Sequence, residues 1–404
     1  MTTALQERIS DVLARDACTG CGLCTRLDPS VRMRLDERGY LRPRSEGRTD
    51  PVEGAARIFD ASCPGVRITA PPTPAGATAD ALLGPNVGLW QAWATDETVR
   101  QAGSSGGVLT ALHTWLLESG RAARITGAAV DAEAPRRTVP VTITTREQAL
   151  AAAGSRYAPV GALENADAFR SDSAVAGKPC EIAALRAAAP QLVDGEAPLM
   201  LSFFCAGTPS QRATDALLSE LGVDEQAPVS TLRYRGNGWP GRFTARSGDT
   251  EVSADYDESW GRVLGPTTQW RCKICPDGVG QSADIVCADS WETDERGYPT
   301  FAEGAGVSAL VARTPRGREA VLAAAEAGVI QVRPLDGAQL RDAQPLQTAR
   351  RRFLFARLIG SRLAGRRTPR YRGFGLIALT AGKPREALRV LRGTFRRVRS
   401  ARHR

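Results

Sequence analysis

The chain has 404 residues, a formal net charge of +9 and nine cysteines. Its length allows two or three domains with sizeable cores. With only two histidines, His-based zinc sites and a Ser-His-Asp triad are poor explanations of its function. The sequence contains neither a P-loop motif nor a G-x-G-x-x-G fingerprint, so it supports no standard nucleotide-binding fold. The first 20 residues lack the apolar segment of a signal peptide, and no apolar run is long enough to span a membrane; we therefore expect a cytoplasmic protein with reduced thiols.

The N-terminal region contains the most specific motif of the sequence. A short amphipathic helix is predicted over residues 1–15, followed by Cys18, Cys21 and Cys24 at even spacing, and Cys63 lies directly before Pro64. This C-x2-C-x2-C run with a distant Cys-Pro is typical of a ferredoxin-type 4Fe–4S cluster. A zinc knuckle or a disulfide are the alternatives, but zinc usually takes two C-x2-C pairs. Residues 31–35 and 40–42 alternate as short strands, and a Pro-rich segment at 70–76 predicts a domain boundary.

A second informative segment follows a strand predicted at residues 87–94. Ser104, Ser105, Gly106 and Gly107 open a helix predicted over 108–118. A Ser/Gly-rich turn at a helix start can bind a phosphate through free backbone N–H groups, and an ordinary N-cap is the alternative. His113, within this apolar helix, is interpreted as a packed residue. Strands near 125–130 and 139–144 and a helix at 147–153 lead to a loop in which Arg156 and Tyr157 could contact a cofactor or form a surface turn.

Two units of strand, cysteine and helix come next. Strand 174–176 leads into Cys180 and a helix at 182–189, and strand 199–204 leads into Cys205 and a helix at 211–221. Sites in open α/β sheets form at the carboxyl ends of strands, so these cysteines could face one site. Together with the C-x2-C-P motif of Cys272 and Cys275, they supply four thiolates for a second 4Fe–4S cluster. Zinc or a redox dithiol would suit the C-x2-C spacing equally.

The remaining segments complete the body and a basic tail. Cys287 lies on an apolar strand and is interpreted as a small buried residue, with a role as substitute ligand for Cys180 as the alternative. A strand at 307–312, a helix at 317–327 and a strand at 329–332 close the body. Residues 350–404 contain 18 Lys or Arg and one acid, giving +17 and leaving −8 for residues 1–349. Because the basicity is confined to this tail, we expect no nucleic-acid partner. Its helical stretches, near 353–363 and 384–399, suit peripheral contact with anionic lipid or an acidic partner, or a solvated helix end.

Several of these segments together resemble the coenzyme F420 hydrogenase/dehydrogenase beta-subunit family. The resemblance extends from about Cys18 to Trp291 and rests on these pieces in order: the Cys18–Cys24 run, Ser104-Ser105-Gly106-Gly107, Gly154-Ser155-Arg156-Tyr157, Gly177-Lys178-Pro179-Cys180, Phe203-Phe204-Cys205, Tyr234-Arg235-Gly236, Gly238-Trp239-Pro240-Gly241, Cys272–Asp277, and Ala283-Asp284-Ile285 with Asp289 and Trp291.

The resemblance implies an iron–sulfur flavoprotein oxidoreductase. Its members hold FAD without the usual dinucleotide fingerprint, and pass electrons between 4Fe–4S clusters and coenzyme F420 or another organic substrate. By this resemblance the two cysteine sets would hold two clusters, with ferredoxin or another redox protein as partner. The same resemblance implies that FAD would be contacted by Ser104, Ser105, Gly106, Gly107, Ser155, Arg156, Tyr157 and Lys178. No side chain is assigned as a catalytic acid or base.

These observations predict an α/β (α+β) fold with an N-terminal ferredoxin-like module and a mixed-sheet flavin-binding body. We place the cluster module at residues 1–70, the N-terminal flavin-binding region at 80–165, the C-terminal cluster and flavin domain at 166–340, and a basic helical tail at 341–404. The expected function is electron transfer between 4Fe–4S clusters and FAD, with hydride exchange with F420 or another small molecule. The alternative is an electron-transfer subunit or redox-responsive protein without its own turnover, and a homo-oligomer is compatible with either.

Overall fold

A computed structural model describes residues 3–47, 49–291 and 303–400. In these ranges the strands are β1 (Val31–Leu35), β2 (Leu41–Ser45), β3 (Arg67–Thr69), β4 (Gly88–Ala94), β5 (Arg124–Val130), β6 (Thr138–Ile143), β7 (Ser173–Ala176), β8 (Leu199–Phe203), β9 (Thr231–Arg233), β10 (Phe243–Ser247), β11 (Thr250–Ala254), β12 (Ile285–Asp289), β13 (Ser308–Ala312), β14 (Ile330–Pro334) and β15 (Arg370–Arg372).

The α-helices of the same ranges are α1 (Ala4–Ala14), α2 (Cys24–Leu27), α3 (Ala55–Ser62), α4 (Glu97–Ala102), α5 (Val108–Glu118), α6 (Arg146–Ala151), α7 (Pro179–Leu192), α8 (Gln211–Glu220), α9 (Trp270–Lys273), α10 (Pro315–Glu326), α11 (Gly337–Ala343), α12 (Pro345–Arg352), α13 (Leu354–Leu363), α14 (Leu376–Ala381) and α15 (Pro384–Ser400).

An eight-stranded mixed sheet forms the centre of the molecule, in the order β14-β4-β13-β12-β8-β7-β5-β6. Its four middle strands, β12, β8, β7 and β5, run parallel. β13, β4 and β14 extend it in antiparallel pairs on one side, and β6 does so on the other. The parallel middle brings the carboxyl ends of β7, β8 and β12 to one edge, where sites form in open sheets.

Helices cover both faces of this sheet: successive residues of a strand point to opposite faces, and consecutive residues of the central strands are buried. On β8, Met200 packs with α1, α3 and α7 on one face, whereas Leu201 packs with α5 and α10 on the other. The N-terminal residues share the first of these cores with the body: Leu5 and Ile58 belong to the same cluster as Met200. Residues 3–70 are therefore packed onto the sheet.

Three smaller sheets surround the central one. β1 and β2 form a hairpin, and β9, β10 and β11 form an antiparallel sheet with its own core around Phe243. β15 pairs in parallel with β3, with Tyr371 opposite Ile68. This last pair joins the C-terminal segment to the residues that follow Cys63.

The mixed α/β class predicted from the sequence is confirmed, including the central parallel strands before Cys180 and Cys205. The ferredoxin-like module, the flavin-binding body and the domain boundaries remain predictions. The predicted helices near 353–363 and 384–399 are present as α13 and α15, while residues 401–404 lie outside the described part of the chain. No helix in the described residues has the length and apolar character needed to cross a bilayer.

Candidate functional site

In the first cysteine set, Cys18 and Cys21 lie in a tight loop between α1 and α2, Cys24 begins α2, and Cys63 directly follows α3. Gly20 and Gly22 have φ values of +74° and +88°, a region that favours glycine. A Cβ on Gly22 would lie 2.7 Å from the backbone nitrogen of Glu164, so the loop is pressed against the body. The Cys18 Sγ accepts a hydrogen bond from the Gly20 amide at 3.4 Å. Backbone donors aimed at sulfur are a means by which proteins tune iron–sulfur centres.

The four thiols of this set are neighbours in a buried environment. Burial, joined by the charge of Cys18, raises the pKa of Cys21 to about 11. Burial and then the charges of Cys21, Cys18 and Cys63 raise the pKa of Cys24 well above its ordinary value. Four adjacent thiolates, three of them buried, would be unfavourable without a compensating cation. This donor set therefore fits a thiolate-ligated iron–sulfur cluster.

The second cysteine set gathers at the carboxyl ends of β7 and β8. Burial, joined by the charges of Cys272 and Cys275, raises the pKa of Cys205 to about 12. For Cys180, burial is again the largest cause of a raised pKa, and Cys205 and Cys272 contribute. The Thr208 amide donates a hydrogen bond to the Cys272 Sγ at 3.4 Å. The structure thus brings Cys180 and Cys205 close to the distant Cys272–Cys275 motif.

Two side chains next to the second set reach the loops of the first. The Arg271 guanidinium donates to the carbonyl of Pro64, with Nη2 at 2.9 Å, directly after Cys63. The Gln269 amide donates to the Thr19 carbonyl at 3.1 Å, inside the first cysteine loop. The two cysteine sets are therefore tied together through the Gln269–Arg271 segment.

A buried ion pair also lies between the sets. The Lys178 Nζ is 2.6 Å from Glu181 Oε1 and donates to the Val160 carbonyl at 2.8 Å. The charge of Glu181 acts on both Cys21 and Cys180, raising the pKa of each thiol. Lys178 therefore lies beside the cysteines, and its assignment as an FAD contact remains a prediction.

Within the described residues, no three His, Cys, Asp or Glu side chains are arranged as ligands of a metal ion. The cysteine sets are groups of neighbouring thiols, and their assignment to 4Fe–4S clusters remains a prediction. Cys287 lies apart on β12, and burial raises its pKa to about 12. His113 is buried as expected, which lowers its pKa to about 4.

The two segments expected to bind FAD meet at a pair of serines. The Ser104 Oγ accepts hydrogen bonds from the backbone amide and the hydroxyl of Ser155, each at 2.8 Å. Ser105 donates to the Val307 carbonyl at 2.7 Å, and the Gly106 amide donates to Ser308 Oγ at 3.0 Å. The helix start is therefore partly bonded to β13. Gly107 precedes α5 without a side-chain cap, so an ordinary serine N-cap does not explain the motif.

Arg156 and Tyr157 are turned toward protein groups. Arg156 donates to the Leu232 carbonyl at 2.7 Å and to Thr138 Oγ1 at 3.0 Å. Tyr157 packs against Trp260, with 4.7 Å between ring centroids. A cleft of about 440 Å³ lies beside them, a size suited to a cofactor or drug-sized ligand. Its lining includes Ser155, Arg156, Arg233, Asn237, Arg246 and Glu251.

Comparison with protein families identifies the body of the chain. Residues 89–166 match the N-terminal part, and residues 171–338 the C-terminal part, of the family described as coenzyme F420 hydrogenase/dehydrogenase, beta subunit. The chain belongs to the coenzyme F420 hydrogenase/dehydrogenase beta-subunit family. This family consists of oxidoreductase subunits. The matched residues include the second cysteine set, whereas the first set and the C-terminal helices lie outside them.

Individual relatives of this beta-subunit family agree with the assignment. The coenzyme F420 hydrogenase subunit beta of Methanococcus voltae is 26% identical over 254 residues, covering 60% of this chain and 82% of the relative. The fold is similar to a chain in the xenon-derivatized F420-reducing [NiFe] hydrogenase complex from Methanosarcina barkeri. That similarity has a TM-score of 0.53 at 23% identity and covers 68% of this chain and 91% of the other.

Two residues of the family motifs have structural roles that the sequence did not reveal. Asp284 is buried, and its carboxylate binds Arg186 at 3.0 Å and Arg316 at 2.6 Å. Arg235 is also buried, 2.9 Å from Asp289, and its guanidinium lies 4.9 Å from the Trp291 ring centroid. The motif spacing identified these positions, but only the fold shows which residues they contact.

Proposed function

We propose that this beta-subunit family member is a cytoplasmic iron–sulfur flavoprotein oxidoreductase. In this proposal Cys18, Cys21, Cys24 and Cys63 hold one 4Fe–4S cluster, and Cys180, Cys205, Cys272 and Cys275 hold a second. The observation that supports it is that cysteines of each set are close enough for their charges to act on one another, with the two sets joined through Arg271 and Gln269.

The chain's own residues would exclude water and fix the thiolates. The two glycines of the first loop allow the tight turn, and backbone amides of Gly20 and Thr208 donate to sulfur. Arg271 places a positive charge beside the second set and lies against the chain that follows Cys63. FAD, when bound, supplies the exchange between one-electron and two-electron chemistry. We place it near the Ser104–Ser155 contact and the adjacent cleft.

The proposed substrates are coenzyme F420 or another small organic hydride donor or acceptor, with ferredoxin or another redox protein as partner. The relative from Methanococcus voltae is an F420 hydrogenase subunit, which supports F420 as the first compound to test. The second candidate function is an electron-transfer subunit whose catalytic site lies on another chain. It is favoured because the similar solved chain belongs to a hydrogenase complex.

The test begins with the anaerobically purified protein. We expect about eight irons per chain if two four-iron clusters are bound, flavin bands, and a broad absorbance near roughly 400 nm from thiolate-ligated iron. Reduced F420 and reduced ferredoxin are then mixed separately with the oxidised protein in stopped-flow experiments. A colourless zinc protein would overturn the proposal. A coloured protein whose flavin spectrum responds only when further subunits are added would support the second candidate.

A further inference from the structure

The C-terminal cap, defined here as residues 344–400, carries an unusual concentration of positive charge. It contains 16 Lys or Arg and one acid, Glu386. It is folded onto the body: Leu354 and Phe374 share a core with Ile68 and Ile274. The family match ends at residue 338, so this cap lies outside the matched residues.

Helix α15 arranges part of this charge as a stripe. At 100° per residue, Arg385, Arg389, Arg392, Arg396 and Arg399 fall within an arc of about 80° and extend over about 21 Å. All five are exposed. The opposite side of the helix contains the buried residues Thr394 and Val398. In the described part of the chain, no ion pair joins these five arginines to a carboxylate; the pair at the start of α15 involves Lys383 and Glu386.

The cap lies against the second cysteine set. Arg350 Nη2 donates to the Cys205 carbonyl at 2.7 Å, and Arg357 Nη1 donates to the Lys273 carbonyl at 2.9 Å. Lys273 is exposed between two of the cysteines. Arg397, on α15, is close enough for its charge to act on Lys273. Positively charged side chains therefore extend from the exposed arginine stripe of α15 to the edge of the second cysteine set.

The two cysteine sets also differ in their access to solvent. Cys21, Cys24 and Cys63 of the first set are buried, whereas all four cysteines of the second set are partly exposed. Electron transfer between proteins falls steeply with distance, so a redox centre that exchanges electrons with a partner must lie near the surface. The second set is near the surface in this sense, and it lies against the C-terminal cap.

We propose that the C-terminal cap is the docking face for an acidic one-electron carrier protein, which exchanges electrons at the Cys180, Cys205, Cys272 and Cys275 set. This rests on the proposed function, because that set must hold a cluster. In the reducing direction, the carrier loses one electron and the cluster gains it; no bond forms or breaks. Complementary charge would speed the encounter and orient the partner.

The helix geometry favours a protein partner over a lipid surface. An interfacial helix inserts its apolar side among the lipids, but α15 packs this side against α13. The backbone approach is close there, since a Cβ on Gly360 would lie 2.6 Å from the Leu391 carbonyl oxygen. Exposed apolar side chains on the cap, including Leu363 and Ile377, add the mixed polar and apolar character found at protein interfaces.

The experiment compares the full-length holoprotein with Arg389→Glu/Arg396→Glu. The matched control is Arg212→Glu/Arg318→Glu, which makes the same charge change at exposed arginines on α8 and α10. A small acidic ferredoxin is titrated into each by calorimetry at low and high salt. We expect wild type and control to bind similarly, with affinity falling as salt increases. The stripe variant should bind at least about tenfold more weakly, and its second-order rate of reduction by reduced ferredoxin should fall similarly.

Equal binding by all three proteins, or no binding by wild type, would overturn the proposal. Co-sedimentation with phosphatidylglycerol vesicles distinguishes the lipid alternative: charge-dependent vesicle binding without ferredoxin binding would overturn it in favour of a membrane surface. Iron and flavin contents are measured on the same samples. If the protein contained no iron but still bound ferredoxin in a charge-dependent way, the docking face would stand. The proposed function and the electron exchange would then be refuted.

Discussion

Arg271 connects the two cysteine sets, because it lies beside the second set and donates a hydrogen bond to the residue after Cys63 of the first. Burial would lower the pKa of its guanidinium, but Tyr371 and the nearby thiolates of Cys275, Cys180 and Cys272 raise it. The side chain therefore remains charged in the interior, where it also bonds to the Pro64 carbonyl. A cation beside a thiolate-ligated cluster favours the reduced, more negative state.

We expect Arg271→Met to lower the reduction potential of the second cluster, because one positive charge beside it is lost. Leaving the Pro64 carbonyl without its donor should also cost about 1–3 kcal/mol of stability. An EPR-monitored redox titration measures the potential, and denaturant unfolding measures the stability. Arg318→Met, at an exposed position, is the control. A potential identical to wild type would show that Arg271 does not influence the cluster.

Asp284 illustrates a motif residue whose role is structural in this fold. Burial alone would raise its pKa, but Arg186 and Arg316 outweigh that effect and hold the pKa below its ordinary value. It also accepts a hydrogen bond from the Met200 amide at 2.9 Å. The ionised carboxylate thus joins β8, β12 and the start of α10.

Asp284→Asn should destabilise the protein by about 3 kcal/mol at pH 7, because two arginines lose their shared partner. Since the folded pKa is lower than the unfolded value of about 3.9, the contribution is present above that pH and is lost as pH falls through the folded pKa. Urea unfolding at pH 7 and at several pH values from about 4 down to about 2 should therefore show the difference between variant and wild type unchanged near neutrality and shrinking below about pH 4. A difference independent of pH would contradict this origin.

At the scale of elements, the start of α5 is fitted between two strands. Gly106 is in contact with β4 and β13: a Cβ there would lie 2.6 Å from the Ala92 carbonyl oxygen and 2.9 Å from the Ser308 nitrogen. These are backbone atoms of a central sheet and cannot rotate away. The glycine is thus required by packing, whatever the loop also binds.

Gly106→Ala is expected to destabilise the protein by about 1–3 kcal/mol, because the added methyl group must push backbone atoms apart. It should also displace Ser104 from Ser155 and so weaken flavin retention. The midpoint of thermal unfolding and the flavin-to-protein ratio measure the two effects. Gly382→Ala, where the nearest atom to the new Cβ is 3.8 Å away, serves as the control and should be close to neutral.

The elements that sequence could predict are those with a local period. The alternating strands, the amphipathic helices and the strand-to-cysteine units depend on neighbouring residues, and the structure has them. Strand β15 was missed because three residues give little periodicity and its partner lies about 300 positions earlier. Cysteine spacing indicated two ligand sets, but the bond from Arg271 to Pro64 depends on tertiary packing. For Arg156 the sequence left a cofactor contact and a surface turn open; the fold shows that its donors bind the Leu232 carbonyl and the Thr138 hydroxyl, while the cofactor contact remains a prediction.

At the scale of the whole molecule, the C-terminal cap closes one side of the second cysteine set. Tyr371 lies over Arg271, with 5.4 Å between the guanidinium and the ring centroid, and donates to the Ile274 carbonyl at 2.8 Å. The sequence left open whether this tail was a solvated helix end. Its buried core with Ile68 and Ile274 shows instead that it is an integral layer of the structure.

Gly360→Leu tests the importance of this layer, because a larger side chain there must separate α13 from α15. We expect a loss of about 1–3 kcal/mol in stability and faster loss of iron from the second set in air. Unfolding and timed iron assays measure these changes. Gly393→Leu on the facing helix is the matched control, since its nearest neighbouring atom is 3.9 Å away. Equal iron loss in both variants would show that the cap does not protect the site.

The pairing of β15 with β3 has a consequence for how the protein matures. The chain emerges from the ribosome N-terminus first, so Cys275 emerges before any residue of the C-terminal cap that later packs beside it. At ordinary translation speeds the remaining segment takes on the order of ten seconds to appear. Throughout that interval all eight thiols exist while the C-terminal cap does not, so iron-loading machinery would reach the second set more freely than in the finished protein, where these cysteines are only partly exposed.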